Sequence, residues 1–188
     1  MHAKRFKSDL TPAELEHALD GVRKAGLLEF LKKKPLNELN FKKTLDSATA
    51  NGTYWGGWIR RLDVKSQRPI MSFGQKWIPG SSWSISATAK DQREAIQRTF
   101  VHELGHHVHF SNMTIGGGGE VDDIITSAFK RADGKALTQY SLTNHKEYFA
   151  EAFAAYVYEP EDLRRRDPIA FKMVEDVREH VKLGPVQP

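Results

Sequence analysis

The run His102-Glu103-Leu104-Gly105-His106 sets the strictest condition on how this chain folds. On an α-helix its two histidines stand about 40° apart around the axis and about 6 Å apart along it, so both imidazoles can turn toward one point. The surrounding sequence supports a helix there. Asp91 with Glu94 has the spacing of a capping box. Ala95, Ile96, Phe100, Val101, Leu104 and Val108 recur at helical spacing as an apolar face. Gly105 lies in mid-helix, where glycine costs about 1 kcal/mol relative to alanine, and its missing side chain suits the close approach of another element.

The pattern is H-E-x-x-H, a metal-binding arrangement. Zinc accepts imidazole nitrogens, and the chain has no cysteine, so a thiolate site and a disulfide are both excluded. Glu103 is about 100° around the helix from His102, beside the metal position without being a ligand. From there it can take a proton from a zinc-bound water, whose pKa falls to about 7. A five-residue pattern also arises by chance on amphipathic helices. Its place after a capped helix start weighs against that origin here. His107, about 140° from His102, points elsewhere. His109 returns to the His102 face almost two turns along, where it either supports the site or simply packs or meets water.

A catalytic zinc usually has three protein ligands and one open position. Downstream candidates for the third are Glu120, Asp122, Asp123, His145, Glu147 and Glu151. The segment Glu147-Tyr148-Phe149-Ala150-Glu151-Ala152-Phe153 favours the last two. They are spaced i, i+4 on a mostly apolar helix, where carboxylates are costly unless paired. One would bind metal and the other would accept a hydrogen bond from a ligand imidazole. Asn144 with Glu147 also has capping-box spacing, which accounts for Glu147 alone but leaves Glu151 unexplained.

With Tyr140-Ser141-Leu142-Thr143-Asn144-His145-Lys146 ahead of that segment, the chain resembles the catalytic domain of the anthrax lethal factor family and the similar Pro-Pro endopeptidases. The resemblance covers residues 96–158 and does not reach residues 1–80. It implies a gluzincin-type zinc metallopeptidase, with Glu147 as third ligand, Glu151 as supporting residue and Tyr140 as an aid to catalysis. Without it, Tyr140 reads as an ordinary half-buried tyrosine. The implied reaction is hydrolysis of a peptide bond with Glu103 as general base, one Zn2+ per chain, and a peptide or protein substrate.

Around the motif, Thr11-Pro12 starts a helix whose apolar positions, Leu15, Leu19, Val22, Leu27, Leu28 and Leu31, run toward Pro35, with Gly21 and Gly26 as interruptions. Residues 36–89 are rich in Gly, Ser, Thr and Trp. Thr53–Trp55, Ile59–Val64, Arg68–Phe73 and Ser82–Thr88 read as strands, and Ser82–Thr88, with alternating polarity, as an edge strand able to take an extended substrate. Trp55, Trp58, Trp77 and Trp83 read equally as pocket walls and as core. Helices follow over Val121–Arg131, Asn144–Tyr158 and Pro168–Lys182, the second stopped near Pro160. The expectation is one α+β, zincin-like domain over 1–188, with a small mostly antiparallel sheet and no βαβ alternation. Its parts are a helical segment 1–35, a strand-rich part 36–89 and a zinc-binding helical part 90–188.

Lys plus Arg is 28 and Asp plus Glu is 24, a net charge of +4. Lys32–Lys34 and Arg164–Arg166 read as solvated surface, so nucleic acid is not the expected partner. No apolar run is long enough to span a membrane. The basic start, Met1 to Lys7, has no apolar segment behind it and does not form a signal peptide. A cytoplasmic or phage-associated setting is therefore expected. Two other readings stay open. A DNA-associated protease of the Spartan type would use a third histidine. A non-catalytic phage structural or assembly module would close its zinc with a fourth ligand, from the Glu120–Asp123 region.

Overall fold

The computed structural model describes the backbone of residues 3–8, 11–41, 52–55, 70–73, 84–114, 117–133 and 137–188. Strand β1 (Ala3–Ser8) leads into α1 (Pro12–Lys24) and α2 (Leu28–Lys33), and these return the chain to β2 (Leu36–Phe41) beside β1. A helical crossover makes the two strands it joins parallel, and Arg5 lies opposite Glu38 in a parallel pairing. β4 (Ile70–Phe73) continues parallel to β2, and β3 (Gly52–Trp55) closes the edge antiparallel to β4, giving the order β1-β2-β4-β3.

The expected α+β domain with a mostly antiparallel sheet is corrected on two counts. Where side chains are described, 72% of residues are helical and 1% are in strand, so that part of the chain holds no sheet. The strands traced by backbone pair in parallel at two of their three junctions. The physical reason is the β-α-α-β unit at the start of the chain. Its β1 also lies inside the segment read as purely helical.

Ser82–Thr88 is a second correction, because Ile85–Thr88 forms a 3-10 turn. Thr88 Oγ1 donates to the Ile85 carbonyl at 2.9 Å, and the Ile85 N–H donates to the Glu151 carboxylate at 2.6 Å, so neither group is left for strand pairing. Trp58, Trp77, Trp83 and the strand expected at Ile59–Val64 lie outside the described residues.

The helices follow the caps. α3 (Gln92–Phe110) begins at Asp91, whose carboxylate accepts from the Glu94 N–H at 2.8 Å. α4 (Glu120–Ala132) begins after Gly119. A 3-10 turn (Tyr140–Leu142) precedes α5 (His145–Tyr158), where Asn144 accepts from the N–H groups of Lys146 and Glu147 at 2.9 and 3.1 Å. Pro160 was expected only to stop α5. It opens α6 (Pro160–Arg166) instead, since proline lacks only a donor that the first turn would not use. α7 (Pro168–His180) is capped by Asp167.

α3 runs between α1 and α5 and also touches β3 and β4. Its apolar face is buried as expected, from Ala95 to Val108, whereas Leu28 of α2 is exposed. Residues Tyr148–Ala155 of α5 are buried without a break, as befits a helix covered on every side. Gly105 is where α3 and α5 come closest. A Cβ there would lie 3.1 Å from Ala150 Cα and 3.3 Å from Phe153 Cβ. Gly105→Leu is therefore expected to destabilise the fold by about 1–3 kcal/mol through overpacking. A denaturation midpoint equal to that of wild type would disprove the close approach.

The break between α1 and α2 falls at Gly26, in the left-handed region at φ 69°. The end of the chain docks on this corner. Gly184 N–H donates to the Gly26 carbonyl at 3.1 Å, Gln187 N–H to Lys24 at 2.9 Å, and Arg178 Nη1 to Ala25 at 3.1 Å. Among the described residues no helix is long and apolar enough to cross a membrane.

Candidate metal centre

The contact between α3 and α5 brings His102, His106 and Glu147 together. Each histidine Nε2 lies 3.2 Å from Glu147 Oε2. The two rings stand nearly perpendicular, at 84°, with centroids 4.9 Å apart. Glu147 Oε2 is buried and has no hydrogen-bond partner, so the three atoms converge without hydrogen-bond alignment. Such an arrangement suits an ion. Ligands held tetrahedrally at 2.0–2.1 Å from zinc sit about 3.3 Å from one another. The donor set, two imidazoles and one carboxylate, could hold a metal ion and is of the kind that suits zinc.

Glu151, one helical turn after Glu147, is 1% exposed. Its Oε1 lies 2.9 Å from His102 Nδ1, while Oε2 accepts from the Ile85 N–H at 2.6 Å and from Thr138 Oγ1 at 2.7 Å. The carboxylate thus lies against the far side of His102, in ion-pair range of Nδ1 but without hydrogen-bond alignment, and leaves Nε2 facing Glu147; this is the side on which a ligand imidazole is usually supported. Thr138 and the Ile85 backbone went unforeseen in the sequence. Both sit in short turns with no periodic signal. Thr138 is itself set by Ser141, whose hydroxyl donates to the Thr138 carbonyl at 2.6 Å.

Glu103 is 3% exposed, and its Oε2 is buried with no hydrogen-bond partner. Burial pushes its carboxyl up to about 8, with Glu147 and Glu151 adding to the rise and His102 opposing it. Glu147 moves the other way. Burial resists its ionisation, but His102 and His106 outweigh that and hold it well below the usual carboxylate range. Burial also opposes charge on His102, where the Glu147 and Glu151 carboxylates prevail and raise it. In His106 burial prevails and lowers it. Glu147 is therefore the anionic partner of the two histidines, and in the metal-free cluster Glu103 keeps its proton up to about pH 8. Tyr140 stacks on His102, with centroids 6.0 Å apart and planes at 27°. Burial, then the Glu147 and Glu103 carboxylates, push its phenol well above the ordinary value, so it remains a hydrogen-bond donor.

The other ligand candidates lie elsewhere. Glu120 is exposed and 3.3 Å from His180 Nδ1. Asp123 is exposed. Asp122 faces His109 and His145 rather than His102. His107 does point away from the centre, donating from Nε2 to the Lys34 carbonyl at 2.7 Å with its edge toward Phe30. Burial lowers it to about 4, so it stays neutral. His109 is wholly buried rather than solvent-facing, and burial lowers it to about 4 against the pull of Asp122.

Comparison with protein-family models gave no match, and comparison with curated proteins gave none either.

Proposed function

We propose that the chain is a single-domain zinc endopeptidase of the kind its 96–158 segment resembles, with one catalytic zinc held by His102, His106 and Glu147. The observation that carries this reading is the convergence of those three ligand atoms beside buried Glu103, whose Oε2 has no hydrogen-bond partner. Among the described residues no fourth His, Asp or Glu joins them, as a closed structural zinc site would require.

Zinc, when bound, supplies Lewis-acid polarisation of the scissile carbonyl and acidifies a water. Glu103 takes one proton from that water as its oxygen bonds to the carbonyl carbon. It then delivers the proton to the amide nitrogen as the C–N bond breaks, so the products are a carboxylic acid and a free amine. Tyr140 donates a hydrogen bond to the oxygen that gains negative charge. Glu151 keeps His102 in place throughout. Burial of the cluster keeps bulk water from competing with these contacts.

The test is zinc per chain by elemental analysis, with cleavage of a peptide library read by mass spectrometry. About one catalytic zinc together with cleavage that stops on chelation supports the reading. Folded wild-type protein that takes up no zinc from solution would sink it. Tyr140→Phe is expected to lower kcat by about 10²-fold, with zinc content and KM little changed, because it removes one donor to the developing oxyanion. An unchanged kcat would return Tyr140 to the role of a packing residue.

A further inference from the structure

We infer that the chain carries a second metal site, built by His109, Asp122 and His145, for a divalent transition-metal ion of the zinc class. The three residues come from the last turn of α3, the first turn of α4 and the start of α5. Their ligand atoms all lie within 4.8 Å of one another. His109 Nε2 is 2.7 Å from Asp122 Oδ1, and His145 Nε2 is 3.5 Å from the same oxygen.

A hydrogen bond between His109 and Asp122 accounts for those two side chains alone. It does not account for the second imidazole nitrogen turned onto the same oxygen. Two imidazoles and a carboxylate without sulfur suit zinc, cobalt(II), nickel or iron(II), whereas calcium and magnesium take oxygen ligands. His109 is fully buried, against Phe110 and Phe149, which fixes one ligand in an apolar wall. The His145 side chain is 29% exposed and opens the site to solvent on the other side. Ligation requires His109 to carry its proton on Nδ1 instead of Nε2. His109 Nδ1 is buried with no hydrogen-bond partner, so the exchange breaks no existing contact there.

An ion at this position ties α3, α4 and α5 together just beyond His106. It would serve as a clamp on the two helices that carry the candidate catalytic residues, with positions left for water or a regulatory ligand. The inference does not depend on the peptidase reading.

The test is zinc and cobalt(II) uptake by the full chain, measured by elemental analysis and by cobalt visible absorption. Wild type, Glu147→Ala, His145→Ala and Asp122→Asn are compared, with unfolding midpoints in a chelator confirming that each variant is folded. About two ions per chain in wild type, falling to about one in Glu147→Ala and in each of the other two, is the expected result. A single ion that survives Glu147→Ala and leaves with His145→Ala would uphold the second site and overturn the first. A single ion lost in Glu147→Ala but kept in His145→Ala and Asp122→Asn would overturn the second site. Two ions retained in both of those variants would overturn it equally.

Discussion

Glu147→Ala is expected to leave a folded protein with its zinc at the His102–His106 centre largely gone and its peptide cleavage lost with it. Residues that merely support a metal ligand cost about 10–100-fold in affinity when removed, and a direct ligand should cost at least the upper end of that range. The variant should still fold, because the cap of α5 does not use the Glu147 side chain. Asn144 accepts from the backbone N–H groups of Lys146 and Glu147, and those survive the substitution. Retained zinc at that centre, measured alongside His102→Ala as a control, would move the third ligand to another residue, Glu151 first.

Glu103→Gln separates catalysis from metal binding. Glutamine keeps the size of the side chain and loses the ability to take a proton, so zinc content should hold while kcat falls by about 10²–10⁴-fold. A fully active Glu103→Gln variant would end the proposed mechanism. The same substitution should act on stability with the opposite sign. In the zinc-free protein, burial raises the Glu103 carboxyl from 4.5 to about 8, so the folded chain holds that proton more tightly than the unfolded chain does. The stability this provides is complete below pH 4.5 and is lost as pH rises through about 8. Glu103→Gln escapes the loss. Its unfolding midpoint in a chelator should exceed that of wild type at about pH 9, with the difference vanishing near pH 4. A gap that stayed constant across that range would mean Glu103 is not buried as described.

The candidate centre was far more legible in the sequence than the fold. His102, Glu103 and His106 announce themselves because helix geometry converts a spacing of four into a shared direction, whatever surrounds the helix. Glu147 and Glu151 stood out because charge in a segment as apolar as Tyr148–Phe153 demands a partner. The sequence could not say what would hold Glu151 in turn. Thr138 and the Ile85 N–H come from turns whose residues follow no period, and they meet Glu151 only through tertiary packing. His109, Asp122 and His145 are each legible as polar side chains in the sequence, but their meeting depends on how α4 and α5 pack against α3.

Residues 82–88 show the reverse failure. Alternating polarity is necessary for a half-exposed strand, but it is equally consistent with a 3-10 turn when a buried carboxylate takes the N–H that a neighbouring strand would have used. The sheet was misjudged for a related reason. The apolar spacing of α1 was legible, but the short β1 before it carries no signal of its own. Without β1 there was no reason to see α1 and α2 as a crossover that makes its flanking strands parallel.

The docking of the chain's end on the Gly26 corner bears on how the molecule is assembled in time. Arg178 and the Ala25 carbonyl that it holds are 153 positions apart. Both helices of the candidate centre lie inside the loop that this contact closes. Loops of that length close late and contribute most to slow folding. The Lys24, Ala25 and Gly26 carbonyls of the α1–α2 corner are met by Gln187, Arg178 and Gly184, so the corner is satisfied by a non-local contact and not by its own neighbours. A fragment ending after α5 would carry every ligand of the His102 centre yet lack the latch that holds the corner behind it.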